Sequence, residues 1–561
     1  QTFLMSALRS MNNGKEYSIY NYDRKSKTST IDVYDYKTGE KVRTLLNSAD
    51  IKEIDYIISY QFSDDETKLL LATKLKQIYR RSSVGIYYVY DLISKELTLV
   101  SDNQIQEPTF NGDSSKLAYG YNNNLYIKNL IFGETKQLTY DGKINSIING
   151  ITDWVYEEEF SIVRAFEWNI NGDKIAFIRF DETEVPEFSM DIMGNELYPT
   201  QQVFKYPKAG EKNAEVSLHI YDLEIDQANE VDLSSFNNYY IPRIKWTNDN
   251  SLLSVQLLNR NQNELDLVLV DVSNNNSTSL LHQEKDDAYV AVNDDLTFLK
   301  NNNFIWTSEK SGWNHIYLYD KNGKNEQQIT SGLWEVTSYY GYDSNTGLLF
   351  YNSTQNGSIN RDVYSVSLEE KKIKRLTHKT GSNKASFSKD FSYFINTYSS
   401  ATVPYTYTLN ESKNGKVIRE IMNNNELVNK LKQYKISPKE YSTLSINGNQ
   451  LNMYTLKPLD FDETKEYPLF MYQYSGPGSQ SVTNQWIGGN DYWHQMLVQD
   501  GMIVVCVDGR GTGFKGRDFK KTTQLELGKY EVEDQIAVAK KLGKLPYIDS
   551  SRIGIWGWSY G

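Results

Sequence analysis

Two short phrases alternate from the start of the chain to about residue 415, and their spacing restricts the possible folds more than any other feature. The first phrase is an aromatic or apolar residue, a turn of Asn, Asp, Gly and Ser, and then an apolar strand. Its clear copies are Phe62-Ser63-Asp64-Asp65, Phe110-Asn111-Gly112-Asp113, Trp168-Asn169-Ile170-Asn171-Gly172, Trp246-Thr247-Asn248-Asp249 and Phe387-Ser388-Lys389-Asp390. Weaker copies begin at Met11, Val292 and Tyr342, which makes eight in all.

The second phrase is a strand similar to Tyr-x-Tyr-Asp, followed by a turn and a polar strand, and it also occurs eight times. Its copies start at Asp32, Tyr88, Leu125, His219, Val268, Tyr317, Val363 and Tyr405. Short strands at a repeat of roughly 40–50 residues are typical of propeller blades, which bury too little surface alone and must stack in a ring. The spacing therefore predicts an all-β, eight-bladed β-propeller over residues 1–436. A pair of β-sandwiches is the alternative.

One interval breaks the period of the repeats. Only one copy of the second phrase lies between Asp91 and Asp222, so the stretch from about 150 to 215 is extra and contains the acidic run 157–159. An acidic run is ordinarily a solvated surface. Here it follows Trp154-Val155-Tyr156 directly and lies in an insertion, and insertions in repeat proteins often form the binding face. Since paired carboxylates bind an ammonium group strongly, the run is a candidate substrate site.

The sequence pattern changes after Ser437-Pro438. Residues 467–472 and 501–507 are apolar throughout, as in parallel strands that are buried on both faces. Residues 531–543 have helical spacing, with acids early and lysines late. This order of strand, strand and helix predicts that residues 437–561 form the N-terminal part of an α/β-hydrolase domain.

A nucleophile motif stands at residues 557–561, where Gly-Trp-Ser-Tyr-Gly follows the apolar run 553–556. A strand that leads into G-x-S-x-G is the context in which a sharp turn presents a catalytic serine, so Ser559 is the candidate nucleophile. The backbone N–H of Tyr560 is then a candidate oxyanion donor. Tyr474, in the loop after the strand at 467–472, is a second candidate, although a plain Pro-Gly turn would also explain that loop.

The acid and the histidine of the catalytic triad follow the serine in the sequence of such hydrolases. We therefore expect both beyond Gly561, and we expect this chain alone to lack peptidase activity. None of its five histidines fits the triad order. Each is expected to be a packing or surface residue.

Several of these segments resemble the dipeptidyl peptidase IV group of the prolyl oligopeptidase family (serine peptidase S9), of the bacterial type, and the resemblance covers essentially the whole chain. The matching segments are Asn149–Glu159, Asp181–Pro186, Tyr206–Gly210, Val507–Gly513, Tyr530–Gln535 and Trp556–Gly561. The resemblance implies a propeller that caps a hydrolase. We expect no cofactor and no metal.

The resemblance also implies the roles of particular residues. Glu158 and Glu159 would hold the free amino terminus of a peptide, so that dipeptides with proline or alanine second are released. Ser559 would be acylated, and Tyr474 and the Tyr560 N–H would form the oxyanion hole. The arm near 182–215 resembles the segment through which family members form homodimers, and the family favours a secreted or periplasmic location.

Two alternatives and one departure from the family remain. A prolyl tripeptidyl peptidase shares the scaffold, and some relatives are binding proteins without catalysis, although the intact elbow at Ser559 counts against the latter. Family members also place an arginine in the second or third blade to hold the substrate carbonyl. Between Ser94 and Asn124 this chain has none, so the contact is supplied elsewhere or is absent.

Composition excludes other classes of function. The formal charge of −12 argues against a nucleic-acid partner, because phosphate binding needs clustered Lys and Arg. No apolar run is long enough to span a bilayer. The single cysteine, Cys506, excludes a disulfide within the chain. The sequence begins at Gln1 without a recognisable signal peptide, so the compartment stays open.

Overall fold

The computed structural model describes residues 2–5, 7–54, 56–236, 239–486 and 489–561. Eight antiparallel sheets, each built from strands that are consecutive or nearly so in the sequence, follow one another along the chain, and a five-stranded sheet comes after them. The predicted eight-bladed propeller followed by part of an α/β-hydrolase is confirmed. Two β-sandwiches would have required strands from distant repeats to share a sheet.

The first four blades have the following elements. Blade 1 consists of β1 (Leu8–Ser10), β2 (Glu16–Asp23), β3 (Thr28–Asp35) and β4 (Lys41–Asn47); blade 2 of β5 (Ser59–Phe62), β6 (Lys68–Gln77), β7 (Ser83–Asp91) and β8 (Leu97–Leu99); blade 3 of β9 (Gln106–Phe110), β10 (Lys116–Tyr121), β11 (Asn124–Asn129) and β12 (Thr135–Gln137). Blade 4 contains β13 (Ile147–Asn149), β14 (Phe166–Trp168) and β15 (Lys174–Asp181), then an outlying hairpin of β16 (Glu187–Ile192) and β17 (Thr200–Lys205), then β18 (Glu215–Asp222) and β19 (Gln227–Glu230).

The last four blades are more regular. Blade 5 consists of β20 (Tyr240–Trp246), β21 (Leu252–Leu258), β22 (Glu264–Asp271) and β23 (Ser277–Lys285); blade 6 of β24 (Thr297–Phe298), β25 (Phe304–Ser308), β26 (His315–Tyr319) and β27 (Gln327–Gln328); blade 7 of β28 (Val336–Asp343), β29 (Leu348–Ser353), β30 (Asp362–Ser367) and β31 (Ile373–Arg375); blade 8 of β32 (Ser382–Phe387), β33 (Tyr393–Ser399), β34 (Thr406–Glu411) and β35 (Val417–Met422).

The second sequence phrase is the third strand of a blade, and its final aspartate has a structural reason. Asp91 Oδ1 accepts hydrogen bonds from the backbone N–H groups of Ile93 at 2.8 Å and Ser94 at 2.9 Å. The corresponding Asp222 and Asp271 accept from backbone N–H groups two residues further along the chain. An aspartate here closes the turn to the fourth strand through its own side chain. The aspartate therefore recurs in the sequence repeat because the same turn recurs in successive blades.

Blades 1 and 8 share no strand, so side chains and packing close the ring. Lys389 N donates to Ser10 Oγ at 2.9 Å, and Arg419 Nε donates to Tyr36 O at 3.1 Å. Tyr36 is fully buried among aromatic and aliphatic residues of both blades. Each blade is thus continuous in the sequence, and the seam contains no β-ladder between the described strands.

The extra residues of blade 4 form two separate segments, because β14 and β15 belong to the blade itself. The first segment contains the helix α1 (Trp154–Glu159), and the second is the β16–β17 hairpin. Tyr156 of α1 is buried and its hydroxyl accepts from Ile241 N of blade 5 at 2.9 Å. The acidic run is therefore on a short helix fixed to the propeller core.

The hydrolase sheet has the strand order β36-β37-β39-β38-β40. Its elements are α2 (Asn425–Leu431), which precedes it, β36 (Glu440–Ile446), β37 (Asn449–Leu456), β38 (Tyr467–Gln473), α3 (Gly489–Gln499), β39 (Ile503–Asp508), α4 (Arg517–Lys521), α5 (Lys529–Leu542) and β40 (Ile548–Gly557). β38 is parallel to β39 and β40, as predicted, and the predicted helix is α5. Among the described residues, no helix has both the length and the apolar character needed to cross a bilayer.

Candidate active site

The turn after β40 has the geometry of a nucleophile elbow. Ser559 has a φ of 58°, in the left-handed region that a non-glycine residue adopts only under constraint. A Cβ on Gly557 would lie 2.2 Å from the carbonyl carbon of Gly561, and a Cβ on Gly561 would lie 2.6 Å from Gln473 O. The Gly561 N–H donates to Trp558 O at 2.9 Å. Both glycines are therefore required by close backbone approach.

The sheet register brings Tyr474 beside this elbow. Gln473, the last residue of β38, pairs with Gly557, the last residue of β40. Because the two strands are parallel, the residues after them leave the same edge of the sheet, and the rings of Tyr474 and Tyr560 lie 6.4 Å apart. The Tyr560 hydroxyl donates to Glu531 Oε1 of α5 at 2.7 Å, and burial together with this carboxylate raises the pKa of Tyr560 to about 12.

The loop that carries Tyr474 is held from two sides. On the hydrolase side, the buried carboxylate of Asp508 accepts from Ser481 N at 3.0 Å and from Val482 N at 2.8 Å. On the propeller side, Arg361 Nη2 donates to Gln480 Oε1 at 2.6 Å. Burial raises the pKa of Asp508 to about 6 and lowers that of Arg361 to about 10. These contacts fix the loop after β38 to both parts of the chain.

Two of the described histidines, His315 and His494, have packing roles. His494, in the hydrolase part, is buried against Tyr472, and burial, with the nearby cation of Lys439, lowers its pKa to about 4. His315 is buried and hydrogen bonds to Thr330 Oγ1 at 3.0 Å. His494 is therefore a neutral core side chain in α3 and not a base beside Ser559.

The helix α1 holds the acidic run through its capping contacts. Its N-cap is Asp153, whose Oδ1 accepts from Tyr156 N at 2.9 Å. Burial raises the pKa of Asp153 to about 6. Glu157 is buried, and its Oε1 accepts from the backbone N–H groups of Arg81 at 2.5 Å and Ser82 at 2.9 Å. Glu157 thus ties α1 to blade 2.

Glu158 and Glu159 differ in their surroundings. Glu158 accepts from Arg80 Nε at 2.8 Å through Oε2 and at 3.1 Å through Oε1, and this pairing holds the Glu158 pKa below its usual value. Glu159 is exposed. A carboxylate that stays ionised next to a second, exposed carboxylate suits an ammonium ligand.

Arg80 is the residue that the sequence reasoning missed. It lies in the loop between β6 and β7 of blade 2, before the segment 94–124 in which the family's arginine was expected. Its side chain is 66% exposed, so most of the guanidinium faces solvent beside Glu158. The signal in the sequence was the basic pair Arg80-Arg81, several residues before the second phrase of blade 2 at Tyr88. Its partner was not visible there, since it is 78 residues away.

The predicted site residues fall into two groups. Tyr474, Ser559 and Tyr560 come together at the carboxyl edge of the hydrolase sheet. Glu158 and Glu159 lie on α1 of the propeller, together with Arg80. The chain joins a β-propeller to an α/β-hydrolase sheet with a serine elbow. By this architecture it belongs to the class of hydrolases that carry a propeller.

Comparison with known proteins narrows this class. The family described as the dipeptidyl peptidase IV (DPP IV) N-terminal region matches residues 63–405, and the prolyl oligopeptidase family matches residues 490–561. The chain therefore belongs to the prolyl oligopeptidase family, in its dipeptidyl peptidase IV group.

Individual relatives agree with this assignment. The chain is 33% identical over 535 residues to a probable dipeptidyl-aminopeptidase B of Arthroderma gypseum, covering 89% of this chain and 58% of that protein. It is 32% identical to a probable dipeptidyl peptidase 4 of Arthroderma benhamiae, covering 90% and 67%. The crystal structure of Porphyromonas gingivalis dipeptidyl peptidase 4 superposes with a TM-score of 0.93 at 38% identity, over 99% of this chain and 78% of that one. The chain thus spans a little over half of the first relative.

Proposed function

We propose that the full-length protein is a serine exopeptidase that releases dipeptides from the free amino terminus of peptides. The observation that carries the proposal is the group of Arg80, Glu158 and Glu159 on the propeller, in a chain that also has a serine elbow. The names of the relatives, dipeptidyl peptidase 4 and dipeptidyl-aminopeptidase B, agree with it.

The carboxylates would bind the substrate's ammonium group. Glu158 is ionised at neutral pH, where Arg80 holds its pKa below the usual value, and Glu159 is exposed to solvent. Charge-assisted hydrogen bonds to two carboxylates would fix the position of the amino terminus. The exposed guanidinium of Arg80 would donate to a backbone carbonyl of the bound peptide, the role left open between Ser94 and Asn124.

Ser559 would attack the carbonyl of the second residue and release the rest of the peptide as an amine. The Tyr560 N–H and the Tyr474 phenol would stabilise the oxyanion. In α/β-hydrolases the acid and the histidine that complete the triad follow the serine in the sequence. No cofactor or metal takes part in this scheme.

The second residue of the released dipeptide would be proline or alanine, which rests on the family resemblance. A tripeptidyl peptidase would use the same scaffold with room for one more residue. Amide reporters of Gly-Pro and Ala-Ala-Pro separate the two, because the enzyme proposed here cleaves the first and leaves the second intact. Preferred cleavage of the tripeptide reporter would replace the proposal by its alternative.

The decisive variant is the full-length double substitution Glu158→Ala with Glu159→Ala. Loss of two charge-assisted contacts of about 1.5–3 kcal/mol each should lower kcat/KM for the Gly-Pro amide by about 10²–10⁴-fold. Labelling of Ser559 by a fluorophosphonate should persist, since it needs no amino terminus. The matched control is Glu224→Ala, an exposed glutamate in the turn between β18 and β19, which should leave kcat/KM unchanged. Normal cleavage by the double variant would contradict the proposed clamp.

We also propose that the full-length protein forms a homodimer through the β16–β17 hairpin. Every residue of β16 is exposed, and Met193, Leu197 and Tyr198 in its loop are 78%, 88% and 77% exposed. Apolar surface of this kind at the end of a hairpin is typical of an interface. Sedimentation of the full-length protein should give a dimer, and the double substitution Leu197→Ser with Tyr198→Ser should give a monomer. A monomer before substitution would contradict the assembly.

A further inference from the structure

A cluster of five aromatic rings joins the β16–β17 hairpin to the proposed amino-terminal clamp, which consists of Arg80, Glu158 and Glu159. We call it the aromatic bridge, and its members are Tyr79, Trp154, Phe188, Phe204 and Tyr206. Phe204 lies at its centre, with ring centroids 5.7 Å from Tyr79, 6.4 Å from Trp154, 6.1 Å from Phe188 and 6.1 Å from Tyr206. Trp154 and Tyr206 are closer still, at 4.5 Å. These rings therefore pack as one unit between three segments of the chain.

Phe204 differs from the rest of the hairpin in its burial. It is 6% exposed, whereas its neighbour Val203 is 46% exposed and every residue of β16 is exposed. Successive side chains of a strand point to opposite faces, so Phe204 packs against the bridge while the adjacent Val203 faces solvent. Phe204 is thus the apolar anchor of β17.

The base of the hairpin is held by polar contacts as well. Lys205 Nζ donates to Val185 O at 2.8 Å and to Thr183 O at 3.3 Å, and its side chain is only 10% exposed. Tyr206 N donates to Pro186 O at 2.9 Å. The two ends of the hairpin are therefore fixed to each other at the point where the bridge begins.

The bridge includes residues from the two segments that carry the ion pair of Glu158 and Arg80. Trp154 and Glu158 are four residues apart on α1, so their side chains lie on the same face of that helix. Tyr79 directly precedes Arg80 in the loop of blade 2. The helix has six residues, too few to be stable in isolation, so its orientation depends on packing. Packing of Trp154 on the bridge therefore holds the helix that carries Glu158, and packing of Tyr79 holds the residue next to Arg80.

We propose that Phe204, Trp154 and Tyr206 are positioning residues for substrate binding, and that the hairpin supports the amino-terminal clamp from outside the propeller. This inference rests on the proposed dipeptidyl peptidase function. It assigns the hairpin a role within its own subunit, independent of any interface that its loop forms. Removal of the bridge should loosen the ammonium site and leave the chemistry at Ser559 intact.

The test is Phe204→Ala in the full-length protein, assayed with the Gly-Pro amide. We expect KM to rise about 10- to 100-fold with kcat within about twofold, because a displaced clamp loses binding that is shared by the ground state and the transition state. Fluorophosphonate labelling of Ser559 should be unchanged. Val203→Ala, on the solvent face of the same strand, is the matched control and should leave KM as it is.

A second variant covers the case in which Phe204→Ala fails to fold. Phe204→Leu keeps an apolar side chain and removes the ring, so it should raise KM to an intermediate value. An unchanged KM in either folded variant would overturn the inference, and so would a parallel fall of kcat, labelling and thermal stability at constant KM. Failure of the unsubstituted protein to cleave the Gly-Pro amide would instead overturn the proposed function.

Discussion

The clamp on the propeller and the elbow on the hydrolase sheet are built in different ways. The clamp is made of side chains: Arg80 and Glu158 form an ion pair, and Glu159 is exposed beside them. The elbow is made of backbone: Ser559 has a left-handed φ, and Gly557 permits a contact that any Cβ would block. A site made of side chains can be changed gradually by substituting single charged residues. A site made of backbone tolerates almost no change in shape.

The buried groups that support the two regions are alike. The buried acids around the clamp, Asp153 and Glu157, accept backbone N–H groups and hold α1 in place. Around the elbow, the buried Asp508 accepts backbone N–H groups of the Tyr474 loop. In both regions a buried carboxylate orders a loop, and the residues that would contact substrate lie nearer to solvent. The two regions therefore differ in the groups that they expose, which are side chains on the propeller and a backbone turn on the hydrolase sheet. They are alike in being supported by buried carboxylates.

The largest effect is expected for Gly557→Ala at the elbow. The new Cβ would lie 2.2 Å from Gly561, so the turn must open, at about 3 kcal/mol of unfolding free energy. Fluorophosphonate labelling of Ser559 in the full-length protein should fall by about 100-fold or more, since misplacement by about 1 Å has that effect. Gly554→Ala on the same strand is the control, because its Cβ meets no atom within 4 Å. Equal labelling of the two variants would contradict the claim that the elbow tolerates almost no change in backbone shape.

A smaller effect is expected for Arg80→Met at the clamp. kcat/KM for the Gly-Pro amide should fall by about 10- to 100-fold, because a charged hydrogen-bond donor is lost. The Glu158 pKa should rise towards its usual value once Arg80 is absent, so the acid limb of the pH profile of kcat/KM should move to higher pH. Lys37→Met, an exposed cation of blade 1, should change neither quantity. An acid limb that does not move would show that Arg80 does not control Glu158.

The smallest effect concerns stability at the base of the hairpin. Glu182 is buried, and burial, with the nearby Asp153, raises its pKa from 4.5 to about 7. The folded state therefore holds this proton more tightly than the unfolded state, so stability is lost as pH rises through about 4.5 to 7. Glu182→Gln should stabilise the protein by on the order of 2 kcal/mol at pH 8, with the gain vanishing below about pH 4.5.

Urea unfolding at pH 8 and at pH 4.5 measures this difference. The control is Glu184→Gln, whose side chain is 71% exposed and which should behave like the unsubstituted protein at both values. A gain of the same size at both pH values would mean that the Glu182 carboxyl is not the titrating group.

The parts of the fold that were predictable depend on local chemistry. The eight blades followed from the repeat because Asp91 and its counterparts close a turn with their own side chains. The elbow followed from glycine spacing around Ser559 for a similar reason. Such features involve residues within a few positions of one another, so a single sequence contains the full signal.

The parts that were missed depend on contacts between distant segments. Arg80 pairs with Glu158 across 78 residues, and nothing near Arg80 in the sequence indicates that partner. The aromatic bridge joins residues 79, 154 and 204 across an otherwise exposed hairpin, where β16 has no buried side chain to mark a packed face. Pairing of this kind requires the ring of blades to be in place first.

Because each blade is continuous in the sequence, the blades are completed one after another during synthesis. The ribosome completes blade 1 before blade 2, and each new blade can stack on the one before it as it emerges. Arg80 and α1 are complete once blade 4 has emerged, whereas Ser559 is made after all eight blades. The nascent chain therefore contains Arg80, Glu158 and Glu159 well before Ser559 has been made.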